Sequence, residues 1–560
     1  MARQAPTFVH LLQRCRTDHE SSHLYLDGWG GQERLSHAQL VVEAARLGRG
    51  MLAVGLRRGD RVALMLPQAR QFCPSLLGAL LAGVVPVPMS PPTGIGKMNG
   101  WSGTATAILR DSGARLLLAD EELHALVQSF AQQVPGLEVT APAVLLRQAE
   151  GSGVDLPAPD DFSAQDLALL QYTSGSTSAP KGVRISHGNL IANAHAIMVD
   201  GLQADRRDRA LSWLPLYHDM GLIGFVFAPF ITHSSAIFMP TQAFLREPRS
   251  WLRALGEQQA TITFAPNFAY ALTAKRGPAE GISLGSVRVW GCGAEPVHAP
   301  TLRNFAQVFE SSGLRREGLF PCYGLAEATL AVSFPTLGEG LFSERIDADQ
   351  RQLHARAMPG HEGIEVVACG RPLPAFDVRI VDLHGQALPD RQIGEIVLRG
   401  PCVSAGYHGA EPFEHGLPTG DLGYLAEGRL YLTGRKKDLL IINGRNIDPQ
   451  HVEQVVAALP EVRHGHVVAF TRPGSATEEL VVAAETRTQD PLKLMQQIKR
   501  AVQAELGIPV TECVLLPSGE LSKTSSGKLQ RARTRREYLE GTLSIRHAGT
   551  SRPSAEVPVS

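Results

Sequence analysis

The chain has 560 residues, too many for one compact core, so two to four domains or subdomains are expected. Apolar residues make up 44% and charged residues 19%, an ordinary soluble composition with enough apolar material for large cores. A net charge of −1 argues against nucleic acid or an anionic membrane surface as partner.

The N-terminal stretch turns polar too soon for a signal peptide. The longest apolar run, Leu76 to Met89, contains Pro86 and Pro88 and is too short to span a bilayer. A cytoplasmic protein without a transmembrane segment is expected. Its seven cysteines (15, 73, 292, 322, 369, 402 and 513) form no C-x-x-C pair. Their odd count and scattered spacing predict reduced thiols and argue against a zinc site.

In chain order, residues 8–17 and 37–54 read as helices, 61–66 as a strand, 70–81 as a helix and 84–87 as a strand. A helix at 103–111 and a strand at 115–119 continue the alternation, which predicts a largely parallel sheet covered by helices. Residues 149–165, rich in Gly, Pro, Asp and Ser, read as a loop. Asp111-Ser112-Gly113 resembles a carrier-domain attachment serine only superficially; it reads as a helix-to-strand turn, so no carrier domain is fused to this chain.

The next stretch, LALLQYTSGSTSAPKGVRISHGNLIAN (167–193), opens as a buried strand and breaks into Thr173-Ser174-Gly175-Ser176-Thr177-Ser178. Lys181 follows, then a short strand and a helix start at Ser186. Small hydroxyl residues, a glycine and a lysine suit a polyphosphate, although the stretch lacks the Gly-Lys-Ser/Thr of the ordinary nucleotide loop. A flexible Ser/Gly turn is the alternative. A second α/β series has strands at 210–214, 236–239, 262–264 and 287–290. Short strands at 376–381, 394–398 and 429–432 predict a small β subdomain. A last compact α/β unit has helices near 449–459 and 491–506, with strands at 465–470, 479–485 and 512–516. The expected domains are 1–434 and 435–545, with a disordered tail at 546–560.

Six stretches carry a family pattern in order: YTSGSTSAPKGV (172–183), LPLYHDMGLIG (214–224), GAEPV (293–297), CYGLAEATLAVS (322–333), TGDLGYLAEGRLYLTGRKKDLLIINGRNIDP (419–449) and LSKTSSGKLQR (521–531). The chain therefore resembles the adenylate-forming superfamily of acyl-CoA ligases, peptide-synthetase adenylation domains and luciferases. The resemblance implies a large N-terminal domain of two α/β subdomains plus a small β subdomain, followed by a small mobile α/β C-terminal domain. It also implies ATP and Mg²⁺. A carboxylate attacks the α-phosphate to give acyl-adenylate and pyrophosphate, and a thiol then attacks the adenylate.

By the same resemblance, Thr173, Ser174, Gly175, Ser176, Thr177 and Lys181 hold the triphosphate, with Thr177 near a phosphate, and Glu327 coordinates Mg²⁺. Tyr323 and Gly324 lie against adenine, with Gly293-Ala294-Glu295 as the facing wall. Asp421 accepts hydrogen bonds from the ribose hydroxyls, Arg435 contacts ribose and phosphate, and Lys437 is the hinge of the C-terminal domain. His218 matches an aromatic gate beside the acyl group. Lys528, a solvated surface lysine on composition alone, matches the lysine that swings in to bridge carboxylate and phosphate.

VPVPMSPP (85–92), FLREPRSWLRAL (244–255), FAPNFAYAL (264–272) and GLAEATLAVS with Ala326 look most like fatty acyl-AMP ligases. That branch passes a fatty acid to an acyl-carrier protein in trans. The resemblance implies an insertion restraining the C-terminal domain, expected within 340–365, and an acyl pocket lined from 223–230 and 264–269. The alternatives are a fatty acyl-CoA ligase and a catalytically idle protein that binds nucleotide or acyl chain.

Overall fold

The computed structural model describes residues 5–92, 98–173, 180–278, 281–361, 363–442, 445–474, 478–523 and 529–549. The expected β/α alternation is present, and it builds two sheets. One is wholly parallel, in the order Val85–Pro88, Arg61–Met65, Ala114–Ala119, Glu138–Thr140. Three of its strands, Val85–Pro88, Arg61–Met65 and Ala114–Ala119, are short and largely buried, as a helix-covered parallel sheet requires, while Glu138–Thr140 is a partly exposed edge.

The second sheet has seven strands: Leu319–Pro321, Val289–Cys292, Ile262–Ala265, Arg209–Ser212, Ser235–Phe238, Ser22–Leu26 and Gln32–Ser36. All neighbours pair in parallel except the last two, which form an antiparallel edge hairpin. That hairpin was not expected. Its outer strand, Gln32–Ser36, is largely exposed and polar, so it carries no apolar alternation, yet it places the N-terminal segment beside Ser235–Phe238. The aromatic centre of the fold lies under this sheet, where Trp251 meets Trp290, Tyr270 and Phe305 in edge and stacked contacts.

Leu167–Thr173 and Lys181–Ser186 form an antiparallel hairpin whose register pairs Thr173 with Lys181. Both ends of the Ser/Gly stretch are thereby fixed next to each other. The helix His187–His195 starts with a reciprocal capping box between Ser186 and Asn189. The expected β subdomain is a four-stranded antiparallel meander, Asp377–Val381, Gly394–Arg399, Leu417–Ala426 and Arg429–Arg435.

Beyond it, the apolar clusters that run up to Tyr431 share no residue with those that begin at Leu440. The later unit is a four-stranded sheet with the helices Pro449–Ala457, Pro491–Leu506 and Arg531–Leu539. The disordered tail expected from residue 546 is corrected at its start. His547–Gly549 is a strand paired with Cys513–Leu515, where backbone hydrogen bonding outweighs low apolar bulk; residues 550–560 lie outside the described residues. Among the described residues no helix is long and apolar enough to cross a membrane.

Candidate active site

The loop that follows the strand Leu319–Pro321 organises the site, because its two ends face different chemistry. At one end Tyr323, buried, donates its hydroxyl to Asp421 Oδ2 at 2.7 Å. The other oxygen of Asp421 accepts from Arg435 Nε at 2.8 Å. Asp421 and Arg435 are register partners in the last hairpin of the β meander, so their pairing is dictated by the ladder itself. The N–H of Asp421 donates to Thr419 Oγ1, whose hydroxyl donates to Ile396 O, fixing the Thr-Gly-Asp turn. Burial and the Asp421 carboxylate push the Tyr323 phenol well above its ordinary value, so it stays a donor. Asp421 chiefly raises the already high pKa of Arg435. Each carboxylate oxygen has two lone pairs, so both retain acceptor capacity for a diol.

At the other end Glu327 Oε1 accepts from the Tyr407 hydroxyl at 2.7 Å, and Lys181 Nζ lies 4.8 Å from the centre of the same tyrosine ring. Tyr407 arrives because the segment around it adds to the Lys181–Ser186 strand. Val183 bridges Tyr407, and the N–H of His408 donates to Gly182 O. Glu327 is half-buried and its backbone carbonyl accepts from Ser404 N–H. Two asparagines on one helix pin these loops. Asn193 exchanges hydrogen bonds with both backbone groups of Ala331, while Asn189 donates to Pro401 O and Val403 O.

The walls are strained. Thr329 has φ +67° and ψ −56° in a γ-turn closed by Leu330 N–H to Ala328 O at 2.9 Å. Ala294, in the facing Gly-Ala-Glu turn, has φ +66°. Such conformations cost on the order of 1–3 kcal/mol each and collect where backbone must be aimed at a ligand. Glycine is required on both sides: a Cβ on Gly324 would sit 2.1 Å from Leu330 O, and one on Gly293 2.7 Å from Cys322 Sγ. Glu295 accepts the N–H of Phe268 at 2.6 Å.

His218 precedes the short helix Asp219–Gly221, its ring 4.6 Å from that of Tyr217. Gln171, near the end of the strand that launches the Ser/Gly stretch, donates to Tyr217 O at 2.9 Å and ties the Tyr217–His218 segment to that strand. Of the expected acyl lining, Phe225 packs on Phe264, whereas Phe227 and Phe230 turn away to pack on Phe8.

Lys437 lies in the single turn Lys436–Asp438 that leads into the C-terminal unit. Ser174, Gly175, Ser176, Thr177 and Lys528 lie outside the described residues. The residues flanking the Lys528 stretch, Lys523 and Leu529, form a β-bridge, and Glu295 is among the carboxylates whose charge acts on Lys523. That end of the C-terminal unit therefore faces the Gly-Ala-Glu wall.

A family model described as AMP-binding enzyme matches residues 12–408. The chain belongs to the AMP-binding enzyme family. Within the family it is 34% identical over 556 residues to a putative acyl-CoA synthetase of Caulobacter vibrioides, covering 96% of each chain. It is also 34% identical over 520 residues to the medium-chain-fatty-acid–[acyl-carrier-protein] ligase JamA of Moorena producens, covering 87% of each. A solved structure from a study of fatty acyl-adenylate ligases of E. coli and L. pneumophila superposes with a TM-score of 0.91 at 34% identity, over 96% of this chain and 99% of that one.

Several residues of this AMP-binding enzyme were missed by sequence reasoning. Tyr407, Asn189 and Asn193 join elements distant in the chain and carry no motif of their own. Glu395 accepts from Gly420 N–H and from Lys436 Nζ, linking the Thr-Gly-Asp turn to the turn Lys436–Asp438. Arg531 closes the quoted C-terminal motif and binds Asp438 at 2.5 Å and Glu453 at 2.9 Å, tying the turn Lys436–Asp438 to the C-terminal unit. Its position three residues after Lys528 was the one available signal.

Proposed function

We propose that this AMP-binding enzyme is a fatty acyl-AMP ligase that loads an acyl-carrier protein. The observation that carries the reading is that the loop 323–327 joins two clusters of suitable chemistry: an aromatic–carboxylate–guanidinium set for a nucleoside, and a lysine with a carboxylate for phosphates. The fatty-acid carboxylate oxygen attacks the α-phosphorus of ATP, the bond to the bridging oxygen breaks, and pyrophosphate leaves. The carrier's thiol then attacks the acyl carbonyl carbon, loses its proton to solvent and expels AMP.

In this reading Asp421 accepts the ribose hydroxyls while Arg435 holds the carboxylate in place and reaches the phosphate. Tyr323 and Gly324 offer one face to adenine and Gly293-Ala294-Glu295 the other. Lys181 and residues 173–177 hold the triphosphate, and His218 borders the acyl group. Glu327 fits Mg²⁺: it is a half-buried hard oxygen donor held by the Tyr407 hydroxyl, while Lys181 lies over the face of the tyrosine ring. Bound there, Mg²⁺ neutralises charge on the phosphate oxygens. Lys528 supplies the transferable cation, since charge gathers on phosphorus oxygens in the transition state and preorganised cations lower that barrier. We place the domain division at 434/435, with Lys437 as hinge.

Carrier protein over CoA is supported by the segment expected to restrain the C-terminal domain. Residues 343–346 and 364–367 pair antiparallel around the helix Ala348–His354. Glu344 in this hairpin accepts from Arg391 and Tyr424 of the body. Arg351 on its helix donates to Thr433 O at 2.8 Å and lies 3.3 Å from Asp448 Oδ2 of the C-terminal unit. The second reading, a fatty acyl-CoA ligase, is favoured by the name of the Caulobacter relative.

ATP–pyrophosphate exchange dependent on fatty acid should be present in the wild type and fall about 10²–10³-fold in Lys528→Ala, the scale for losing a transition-state electrostatic contact. With ATP and fatty acid, acyl transfer to a phosphopantetheinylated carrier should exceed acyl-CoA formation. Efficient acyl-CoA formation favours the second reading, and absence of exchange with every acid favours an idle binding protein.

A further inference from the structure

Far from the nucleotide site, three residues that share no motif meet in the interior. Cys15 lies in the turn after the helix Phe8–Arg14, and His37 is the first residue of the helix His37–Ala53. His233 caps the helix Pro229–Thr232 in a left-handed conformation. One donor atom from each lies within 4.8 Å of the other two. Asp18 stands among them, its Oδ2 2.7 Å from His233 Nδ1 and 3.5 Å from His37 Nδ1. Cys15 Sγ is 4.0 Å from His233 Nδ1.

The carboxylate is oriented from behind. Asp18 Oδ1 accepts the N–H groups of Glu20 and Ser21, which leaves Oδ2 pointing at the two imidazoles. His37 is fully buried with its ring stacked on Phe230 at 4.4 Å, and its Nδ1, the nitrogen 3.5 Å from Asp18 Oδ2, has no hydrogen-bond partner among the described residues. A packing role would be served better by an apolar side chain, because an unsatisfied buried nitrogen is destabilising. Zinc bonds of about 2.0–2.3 Å in a tetrahedron place neighbouring donors roughly 3.3–3.7 Å apart. The spacings here run from 2.7 Å to within 4.8 Å and straddle that range, so side-chain shifts of up to about an ångström bring the donors to one centre.

We propose that Cys15, Asp18, His37 and His233 form a structural zinc site. A thiolate with two imidazoles selects Zn²⁺ over the hard cations of the nucleotide site. On binding, Zn²⁺ displaces the Cys15 thiol proton to solvent and nothing is oxidised or reduced. His233 is about 30% exposed and opens the entry path.

The staple has a defined target. The parallel pair of Ser22–Leu26 with Ser235–Phe238 begins next to both Ser21 and His233, and the Ser21 hydroxyl donates to His233 O at 2.5 Å. Zinc locks the N-terminal segment into the second sheet at the start of that register.

The full-length wild type, stripped with chelator, supplemented with zinc and passed through a desalting column, should retain one zinc per chain by plasma mass spectrometry. Cys15→Ser and His233→Asn should each retain less than a tenth of that; asparagine tolerates the left-handed conformation, so the second variant keeps the backbone. Zinc should raise the melting temperature of the wild type by several degrees and leave both variants unmoved. Cobalt(II) should give a thiolate charge-transfer band in the wild type, a readout that stands even where a variant does not fold. Wild type that retains no zinc and shows no such band, or variants that retain as much zinc as wild type, would overturn the assignment.

Discussion

Two aspartate–arginine pairs flank the turn Lys436–Asp438, and they are held in opposite ways. Asp421–Arg435 lies within one hairpin, where ladder register sets both residues before any ligand arrives. Asp448–Arg351 spans two separately packed units, with the aspartate capping the first helix of the C-terminal unit and the arginine on the 348–354 helix of the body. Burial holds Asp448 above the usual carboxylate range even though Arg351 pulls it down. The first pair costs nothing to organise at the moment of reaction. If the C-terminal unit turns as proposed, the second must break, which would make it a latch.

Asp421→Asn should have the largest effect. It leaves Arg435 without its anion and halves the acceptor capacity offered to a diol, so kcat/KM for ATP should fall about 30–100-fold, equivalent to roughly 2–3 kcal/mol. An unchanged ATP dependence in exchange assays would break the contrast at its rigid end.

Next comes Arg351→Ala, which strands a buried carboxylate in the latch. The contact should weaken by about 1–3 kcal/mol, read as faster hydrogen exchange or protease cutting around 436–438 while the body keeps its melting temperature.

A smaller, pH-dependent loss is expected at His451, near Asp448. Burial first, then Arg351, lowers it from the ordinary 6.5 to about 4. Its folded pKa is depressed, so the neutral ring's stability is complete above about pH 6.5 and is lost as pH falls from there towards 4. Protection of the C-terminal unit should decline across that window by on the order of 1–2 kcal/mol. The decline should flatten in His451→Gln and shrink in Arg351→Ala, where one repulsive charge is gone.

Tyr323→Phe should be mildest. The ring stays for the base while Asp421 loses one of two partners, so ATP affinity should drop about 3–8-fold, roughly 1 kcal/mol. A loss as large as that of Asp421→Asn would mean that the tyrosine, not the ladder, positions the carboxylate.

Much of this enzyme was legible before its structure, for local reasons. The strand at 167–170, the capped helix start at Ser186, the β meander and the apolar face Leu494, Met495, Ile498 and Val502 all repeat within a few residues, the range over which periodicity and capping act. The order of six motifs located the pieces of the nucleotide site. It did not say how they touch.

The sequence by itself determined which groups are available for the proposed nucleotide site: Lys181, Glu327, Tyr323, Asp421 and Arg435. Tertiary structure decided their neighbours. Tyr407 reaches Glu327 because its segment adds to a strand more than two hundred residues earlier. Arg351 meets Asp448 because two units dock. Cys15 and His37 meet His233 because the buried inner strand of the edge hairpin pairs with a distant strand, although cysteine spacing alone argued against zinc. Contacts of that separation leave no periodic trace, since they are set by which surfaces remain to be buried once local elements have formed.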